Sequence, residues 1–496
     1  MKPHFSLLAL CLLAACDVAP PKQNVLAITH VNVIDATGTS IKADSTVLIE
    51  GDRITAISSS ATFHLPTNTT VVNATGKFLI PGLWDMHVHW YQEKYLPLFI
   101  ANGVTGVRMM WGYPVHHEWK RDIEKGSLLG PKMFLASTLV DGPHPIWPGS
   151  FVASNAAEGC DAVRQARDDA ADFVKVYSLL PRDAYFAIAD EAKKRHIPFA
   201  GHVPMAVSVE EAAAAGQQSI EHLTGILPPC SSREAELLKA AQAYLTEFST
   251  NNSSRAYGTH ARRENKIALE SYSVEKAAAV FSELKQNHTW QCPTFTVLRL
   301  FTFASNPSIT NDARLKYMPP DLRSEWNDAA SSWLKNSSAE SAAAGKAYFK
   351  KHLEIVGAMQ RAGVGILAGT YTGNPYCMPG FSLHDELGLL VQADLTPMEA
   401  LQAATLNAAR FMGRENELGT VEQGKLADLV LLEANPLADI ANTRNIAAVV
   451  VGGRLYPKPS LAEILHQMGT LASQARQTPH GGSPNEYETK AGFHLD

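Results

Sequence analysis

The central part of the sequence alternates short apolar stretches with helical patterns. Eight such stretches are rich in apolar or β-branched residues: FLIPGLWDMHVHW, GVTGVRMM, KMFLAS, FVKVYS, IPFAGHV, SIEHL, WQCPTFTV and GVGILAGT. Strands that alternate with helices predict a parallel sheet, and eight of them predict a closed barrel. The expected fold class is therefore α/β, with a (β/α)8 barrel of the TIM type.

Both ends of the sequence carry short alternating strands instead, such as NVLAITHVNVIDATG and IAAVVVGGRLY. We expect these strands to form one small β-sandwich domain built from both ends of the chain. Long helical segments follow the sixth and seventh stretches, and we expect them to overhang the barrel mouth as a lid. The expected boundaries are 25–78 and 418–457 for the β-domain, 79–417 for the barrel, about 228–289 and 298–352 for the insertions, and 458–496 for a C-terminal helix and loose tail.

The first residues are typical of an export signal. MKPHFSLLALCLLAAC combines a lysine, an apolar stretch too short to span a bilayer, and small residues before Cys16. Its end resembles the lipobox of bacterial lipoproteins, which implies a signal peptide over 1–15, lipidation of Cys16 and a tether over 16–24. An ordinary signal peptide with an incidental cysteine is the alternative. We expect an exported bacterial lipoprotein, anchored to the membrane and facing the periplasm or the cell exterior.

The charge of the chain limits the classes of partner that it can bind. The formal net charge is −6 at pH 7 and no long run of Lys and Arg is present, which argues against nucleic acid. The expected partners are a small-molecule substrate and, through the lipid anchor only, a membrane; the oligomeric state is left open.

Because export permits disulfides, Cys230 and Cys292, which flank a helical insertion, could form one. Buried free thiols are the alternative.

Polar residues at the expected carboxyl ends of the strands mark the candidate site. His87 and His89 are two apart, so both rings face the same side of a strand. One histidine at a strand end is usually structural, but four at one rim favour a metal site. Lys175 lies in an apolar strand and either reaches the rim, pairs with Asp172, or is carboxylated by CO2 after burial lowers its pKa. The full set is His87, His89, Lys175, His202, His222 and Tyr371.

These motifs, in this order, resemble the amidohydrolase superfamily. PGLWDMHVHW, KVY, GHV, EHL and AGT followed by TG are similar to its imidazolonepropionase-like and prolidase-like branch, over residues 25 to about 457. The resemblance implies that a hydroxide held between two divalent ions, usually zinc, attacks a carbonyl carbon. The ligands that it implies are His87 and His89 for one ion, His202 and His222 for the other, and carboxylated Lys175, a CO2-derived carbamate, between them.

Position 371 departs from the family pattern. The residue after AGT is an aspartate in the family, where it binds the first metal ion, takes the proton of the attacking water and delivers it to the leaving amine. Here it is Tyr371. The phenol could bind metal as phenolate; the ring could turn aside and leave water in the gap, slowing turnover by roughly 10²–10⁴-fold; or the site could be degenerate. The intact ligand set favours the second interpretation. Asp385 belongs to the following helix and is no evident substitute.

The functional expectation is a metal-dependent amidohydrolase that cleaves an amide C–N bond of a dipeptide, prolyl dipeptide or N-acyl amino acid, with reduced or altered activity. The alternatives are a non-catalytic binding protein on the same barrel and a hydrolase of a cyclic amide or lactone. The resemblance implies that Tyr177 helps to hold the substrate carbonyl, with rim packing as its other role. Arg108 could bind a substrate carboxylate, with a structural ion pair as its other role, and His144 in the loop DGPHPIWPGS is a further rim candidate.

Overall fold

The computed structural model describes residues 25–247, 253–335 and 338–475. The expected signal peptide, the lipidation site Cys16, the tether and the tail from residue 476 lie outside these residues. Within the described ranges, no helix is both long enough and apolar enough to cross a bilayer.

The regular elements are numbered along the described chain. The strands are β1 Val25–Val33, β2 Lys42–Glu50, β3 Arg53–Ser59, β4 Thr70–Asn73, β5 Phe78–Pro81, β6 Leu83–Val88, β7 Val104–Met109, β8 Lys132–Leu135, β9 Val140–Asp141, β10 Phe151–Val152, β11 Val174–Val176, β12 Phe199–Gly201, β13 Ser219–Glu221, β14 Trp290–Cys292, β15 Leu429–Leu432, β16 Ile446–Val451 and β17 Arg454–Pro457. The helices are α1 Pro97–Ala101, α2 Pro114–Glu124, α3 Ala156–Asp168, α4 Arg182–Arg195, α5 Val209–Ala214, α6 Glu234–Glu247, α7 Ser253–Glu270, α8 Val274–Gln286, α9 Phe295–Phe303, α10 Pro307–Thr310, α11 Pro320–Lys335, α12 Ala339–Ala362, α13 Phe381–Gln392, α14 Pro397–Ala403, α15 Leu406–Phe411 and α16 Lys458–Gln474.

Eight parallel segments close into a barrel. Strands β6, β7 and β8 pair in that order, and so do β11, β12, β13 and β14. The eighth segment is the chain around residues 366–372, which forms single bridges to β14 and to β6 and no regular strand. Single parallel bridges complete the ring between Ala136 and Phe173, Gln291 and Ile366, and Val88 and Thr372. The fold class predicted from the sequence, an α/β barrel, is confirmed.

Strands from both ends of the chain form a second unit. Its sheet has the order β17-β16-β15-β5-β1-β2-β3, with β4 beside β1. The sheet has its own apolar core, which includes Ile28, Val47, Leu79 and Leu429. One detail of the first expected barrel strand was wrong: FLIP is β5, which pairs with β1 and β15 and so belongs to this sheet. The apolar run continues through Gly82 into β6, so hydrophobicity alone does not mark this boundary.

The seventh expected strand is also shorter than its apolar run. Strand β14 ends at Cys292, and helix α9 begins at Phe295. Glu386 on α13 explains the change, because its carboxylate accepts hydrogen bonds from the backbone N–H groups of Phe295 and Thr296 at 2.9 and 2.7 Å. The N–H groups of the first helical turn have no acceptor within the helix, and a carboxylate that accepts from them stabilises the start of the helix. Burial raises the pKa of Glu386 to about 7.

Cys230 and Cys292 form no disulfide; both are free, buried thiols. Cys230 belongs to the main barrel core, whereas Cys292 packs with Trp84 and Met86 in a separate apolar cluster. The disulfide considered from the sequence is therefore wrong, because the two side chains lie in different parts of the interior. Burial raises the pKa of the Cys230 thiol to about 12 and that of Cys292 well above its usual range.

Candidate metal centre

Four histidines from the ends of three strands meet at one rim of the barrel. His87 lies on β6 and His89 just beyond it, while His202 and His222 follow β12 and β13. The ring centroids are 5.2 Å apart for His87 and His89, 4.5 Å for His87 and His222, and 5.3 Å for His202 and His222. Parallel strands place their carboxyl ends together, so residues distant in sequence form one cluster.

The hydrogen bonds of His87 define its tautomer. Its Nδ1–H donates to Glu221 Oε2 at 2.8 Å. Because a carboxylate only accepts, the neutral ring carries its proton on Nδ1 and has a lone pair on Nε2. That Nε2 lies 3.2 Å from Nε2 of His89. Two nitrogens bound to one tetrahedral zinc ion at its usual bond length are about 3.3 Å apart, so the pair fits a shared metal ion.

The other two histidines are held in the same manner. Ser178 Oγ lies 2.8 Å from His202 Nδ1, and Thr294 Oγ1 lies 2.6 Å from His222 Nδ1. A partner on Nδ1 orients an imidazole and leaves Nε2 available as a ligand. Within the described part of the chain, the buried Nε2 of His222 has no hydrogen-bond partner. Buried polar atoms are nearly always satisfied, and a bound cation would satisfy this one.

Electrostatics keep these rings neutral. Burial holds the pKa of His87, His89, His202 and His222 well below the usual range, and nearby positive charges, among them Lys175, lower it further. Neutral imidazole is the form that binds metal. The donor set is therefore ready for a divalent ion at neutral pH.

Lys175 lies close to all four rings. It is on β11, is 1% exposed, and its charge lowers the pKa of each histidine. Gly201 on the next strand leaves the space for it: a Cβ atom there would lie 2.1 Å from Val176 O and 3.1 Å from Lys175 Cδ. The close contact explains a glycine at this position, where the backbone also has φ of +140°.

Tyr371 stays among the histidines. Its ring centroid is 4.7 Å from that of His87, 4.9 Å from His89 and 4.5 Å from His222, on which it stacks with an interplanar angle of 20°. The expectation that the ring turns aside is therefore wrong. The backbone explains the orientation, because Tyr371 has φ of +63° and its N–H donates to His87 O at 2.8 Å. A left-handed residue redirects its side chain relative to a regular strand.

Tyr177 packs against His202. Its ring stacks on His202 with centroids 4.1 Å apart, and its hydroxyl oxygen accepts a hydrogen bond from Trp147 Nε1 at 2.7 Å. Trp147 belongs to the loop between β9 and β10, which also carries the half-buried His144. This bond fastens the loop to the rim that carries the four histidines.

Arg108 has the structural role, not the substrate-binding one. It is fully buried, and its guanidinium donates to Met86 O at 2.6 Å, to Ser219 Oγ at 2.9 Å and to both carboxylate oxygens of Glu221 at 2.8–2.9 Å. These contacts occupy the guanidinium inside the barrel. Substrate binding by Arg108 is therefore excluded by its position.

Glu221 connects this ion pair to the histidines. Burial alone would raise its pKa, but Arg108, Lys175 and the Ser219 hydroxyl hold it below the usual range. His87, Glu221 and Cys292 also offer ligand atoms within 4.8 Å of one another. We do not assign them a metal ion, because Glu221 is bound to Arg108 and the buried Cys292 stays protonated.

Sequence reasoning missed Ser178, Glu221 and Thr294, which hydrogen-bond to the histidine rings, and it also missed Asp85. Asp85 accepts hydrogen bonds from the Thr370 hydroxyl at 2.6 Å and from the Thr370 amide at 3.0 Å, and so ties β6 to the turn before Tyr371. Burial raises its pKa to about 7. Acidic residues inside apolar strands, in LWDMHV and SIEHL, were the available signal, because a buried carboxylate needs partners. Asp385 instead pairs with Arg299, Arg314 and Arg444.

The first insertion reaches the cluster through Ser178. The hydroxyl of Tyr257, on α7, donates to Ser178 Oγ at 3.2 Å, and Ser178 contacts His202. A helix outside the barrel therefore takes part in the hydrogen-bond chain that orients one histidine.

Replacing Ser178 with alanine is expected to weaken metal binding at His202. Loss of such an orienting group typically lowers metal affinity by about 10–100-fold. Competition with a chromophoric chelator measures the affinity, and Ser231→Ala is the matched control, because Ser231 bonds to Ser271 in the insertion and contacts no ligand. Equal affinities for the two variants would contradict the orienting role of Ser178.

Comparison with known proteins agrees with this geometry. Residues 120–456 match the amidohydrolase family, a range that includes Lys175, His202, His222 and Tyr371. The ochratoxinase of Aspergillus niger is 24% identical over 451 residues, which covers 77% of this chain and 76% of the relative. An imidazolonepropionase of Aromatoleum aromaticum is 34% identical over 124 residues, or 24% of this chain and 30% of its own length.

Two solved structures show the same fold. A bottromycin amidohydrolase superimposes with a TM-score of 0.71 at 23% identity and covers 92% of this chain and 91% of its own. A Xaa-Pro dipeptidase with bound methionine in its active site gives 0.62 at 19% identity and covers 88% and 100%. At these identities the structures speak for the architecture, and the family match covers more than half of the sequence. The chain belongs to the amidohydrolase family.

Proposed function

We propose that this protein is a metal-dependent hydrolase that cleaves an amide C–N bond in a small substrate. The observation that carries the proposal is the convergence of four neutral imidazoles and Lys175, with Nε2 of His87 and His89 3.2 Å apart. Dipeptides, prolyl dipeptides and N-acyl amino acids are the substrates we propose. The named relatives support this choice: an ochratoxinase in sequence and a Xaa-Pro dipeptidase in fold.

The residues in and around the histidine cluster would have separate roles. His87 and His89 would hold one ion, His202 and His222 the other, and Lys175, once carboxylated, would contact both. When bound, two such ions activate water and polarise a carbonyl group. Tyr177, held by Trp147, offers its ring and hydroxyl at the rim where a substrate carbonyl would lie. Glu221, Ser178 and Thr294 fix the ligand rings by their Nδ1 atoms.

Proton transfer is the weak step of this site. An ordinary phenol titrates at a pKa of about 10, so at neutral pH it is a proton donor and not an acceptor. While its phenol is protonated, Tyr371 would not take the proton of a reacting water as a carboxylate would. We propose slow turnover for this reason.

A second function, ligand binding without turnover, is favoured by one observation. The Tyr371 ring lies against three of the four histidines and takes space beside them. A ring in this place restricts the approach of substrate to the ligand atoms. Metal content and turnover separate the two functions.

Purified protein is expected to carry about two divalent ions per chain, measured by elemental analysis, because a complete ligand set retains metal. Removal with a chelator is expected to abolish hydrolysis of a panel of N-acyl amino acids and dipeptides and to lower the melting temperature. A ligand at a thousandfold excess over its Kd stabilises the folded state by about 4 kcal/mol, so the shift should be large. Adding zinc should restore both.

His202→Ala tests the site within the same assay, and His466→Ala is its control, since His466 is exposed on α16. The first variant should lose about half of the metal and the second none. Fewer than one ion per chain in the unaltered protein, or two ions without turnover of any amide, would overturn the hydrolase and leave the binding function.

A further inference from the structure

A cavity that includes none of the four histidines is formed by the second insertion and the loop that follows the eighth barrel segment. Its volume is about 360 Å³, near the lower end of the range for small-molecule sites. Helix α11 of the insertion contributes Pro320, Arg323, Ser324 and Asn327, and the loop contributes Tyr376. The cavity is therefore a feature of its own, apart from the metal centre.

The residues that α11 contributes share one face of the helix. They are spaced by three, four and seven residues, which places them in a single stripe. The acidic residues of α11 are Asp321, Glu325 and Asp328. At about 100° per residue, they lie roughly a third of a turn around the axis from that stripe. Among the described residues that line the cavity there is one cation and no carboxylate.

Arg323 supplies the positive charge of this face. Its Nε is buried and has no hydrogen-bond partner among the described residues. Arg314 differs, because Asp312 and Asp385 accept from its guanidinium at 2.6 and 2.9 Å. A buried guanidinium N–H without an acceptor costs free energy, which an anion in the cavity would recover.

Asn327 adds a neutral donor to the same face. The Tyr376 hydroxyl donates to Asn327 Oδ1 at 2.7 Å, so the amide oxygen is occupied and the amide NH2 group is left for a ligand. The buried Trp326 packs against Tyr376, with ring centroids 5.7 Å apart, and holds the loop to α11. Ser324 and Asn327 are exposed, which gives a ligand access from solvent.

We propose that this cavity binds the carboxylate group of a small organic acid, as a site distinct from the metal centre. Arg323 pairs with the carboxylate, which its planar fork fits, and the Ser324 hydroxyl and Asn327 amide donate to the same group. Leu315 and Pro320 line the cavity as well and contact the hydrocarbon part of the ligand. One cation neutralises one negative charge, so the site prefers a monoanion to a phosphate dianion.

The test measures the binding of hexanoate, acetate, hexanamide and inorganic phosphate to the purified protein at pH 8 by ligand-observed NMR. We expect hexanoate to bind with a Kd of about 1 mM or lower. Acetate lacks most of the apolar contact and hexanamide lacks the charge, so each should bind at least about 10-fold more weakly. Phosphate should bind more weakly than hexanoate.

Two variants change the polar groups of the cavity, and a third is the matched control. Arg323→Met should weaken hexanoate binding by about 10–100-fold, the effect of losing hydrogen bonds from a charged group. Asn327→Asp keeps an oxygen for the Tyr376 hydroxyl but places a carboxylate against the ligand, and should weaken binding at least about 10-fold. Lys335→Met removes an exposed cation from the same helix, roughly 18 Å along the axis from Arg323, and should change nothing.

His202→Ala separates this site from the metal centre, because a bound zinc ion also accepts carboxylates. Hexanoate binding that survives His202→Ala and falls in both cavity variants would support the cavity site, even if no amide is hydrolysed. Four results would overturn it and leave the proposed hydrolase untouched: no saturable binding of hexanoate, loss of binding in His202→Ala, equal affinities for the Arg323 and Lys335 variants, or phosphate bound more tightly than hexanoate.

Discussion

Replacing Tyr371 with aspartate is expected to raise kcat for amide hydrolysis by about 10²–10⁴-fold, the usual contribution of a positioned acid–base group. At neutral pH a carboxylate accepts the proton of a reacting water and returns it to the leaving amine, and a phenol does not. The smaller side chain also frees the space that the ring takes beside His87, His89 and His222. Single-turnover and steady-state kinetics on N-acyl amino acids measure the gain.

The backbone at this position accepts the change. Its φ of +63° belongs to the left-handed region, where Asp and Asn are several-fold enriched and Tyr is not. The hydrogen bond from the amide N–H to His87 O does not involve the side chain. We therefore expect Tyr371→Asp to fold with at least the stability of the present chain.

Two control variants separate the effect of a new proton acceptor from the effect of removing the bulky ring. Tyr371→Asn has the shape of aspartate without a proton acceptor, so it should gain only what removal of the ring provides. Tyr371→Phe keeps the ring and loses the hydroxyl; a fall in metal content for this variant would identify the phenol as a ligand. Equal kcat values for the Asp and Asn variants would show that proton delivery is not what limits this enzyme.

The sequence was informative about the barrel because its signals are local. A histidine pair two residues apart, a lysine inside an apolar strand and small residues at strand ends all follow from strand geometry. The direction of the Tyr371 ring was not predictable in this way, since it depends on a left-handed backbone at one residue. The role of Arg108 depended on Glu221, which is distant in sequence and adjacent only because the barrel closes.

The residues that hydrogen-bond to the histidines lie on other strands and insertions. Single residues such as Ser178 and Thr294 have no distinctive sequence pattern, so the sequence alone does not reveal them. Cys292 illustrates the same limit, because its position beside a long insertion suggested a disulfide. In the folded chain it fills space against Trp84 and Met86. Packing decided its role, and packing is not visible in the spacing of cysteines.

Removing the charge of Glu221 is expected to cost about 3–5 kcal/mol of unfolding free energy, because it leaves Arg108 as an uncompensated buried cation. Both side chains are fully buried and contact each other at 2.8 Å. Glu221→Gln keeps the shape and removes the charge. Urea denaturation of metal-free protein measures the loss, so that weaker metal binding does not contribute. Glu340→Gln is the control: Glu340 pairs with Lys266 on the surface, where such a pair contributes about 0–1 kcal/mol.

A double-mutant cycle decides whether the pair acts as a unit. Arg108→Met alone leaves Glu221 as a buried anion and should cost a similar amount, while the double variant should cost less than the sum by about 0.5–3 kcal/mol. The double variant should nevertheless bind metal about 10–100-fold more weakly, since His87 has lost the carboxylate that orients its Nδ1–H. If the double variant recovers stability but not metal affinity, Glu221 has two separable roles, one as the partner of Arg108 and one in orienting His87. Additive losses of stability, or a Glu221→Gln loss no larger than that of Glu340→Gln, would contradict the buried ion pair as the link between the barrel core and the metal centre.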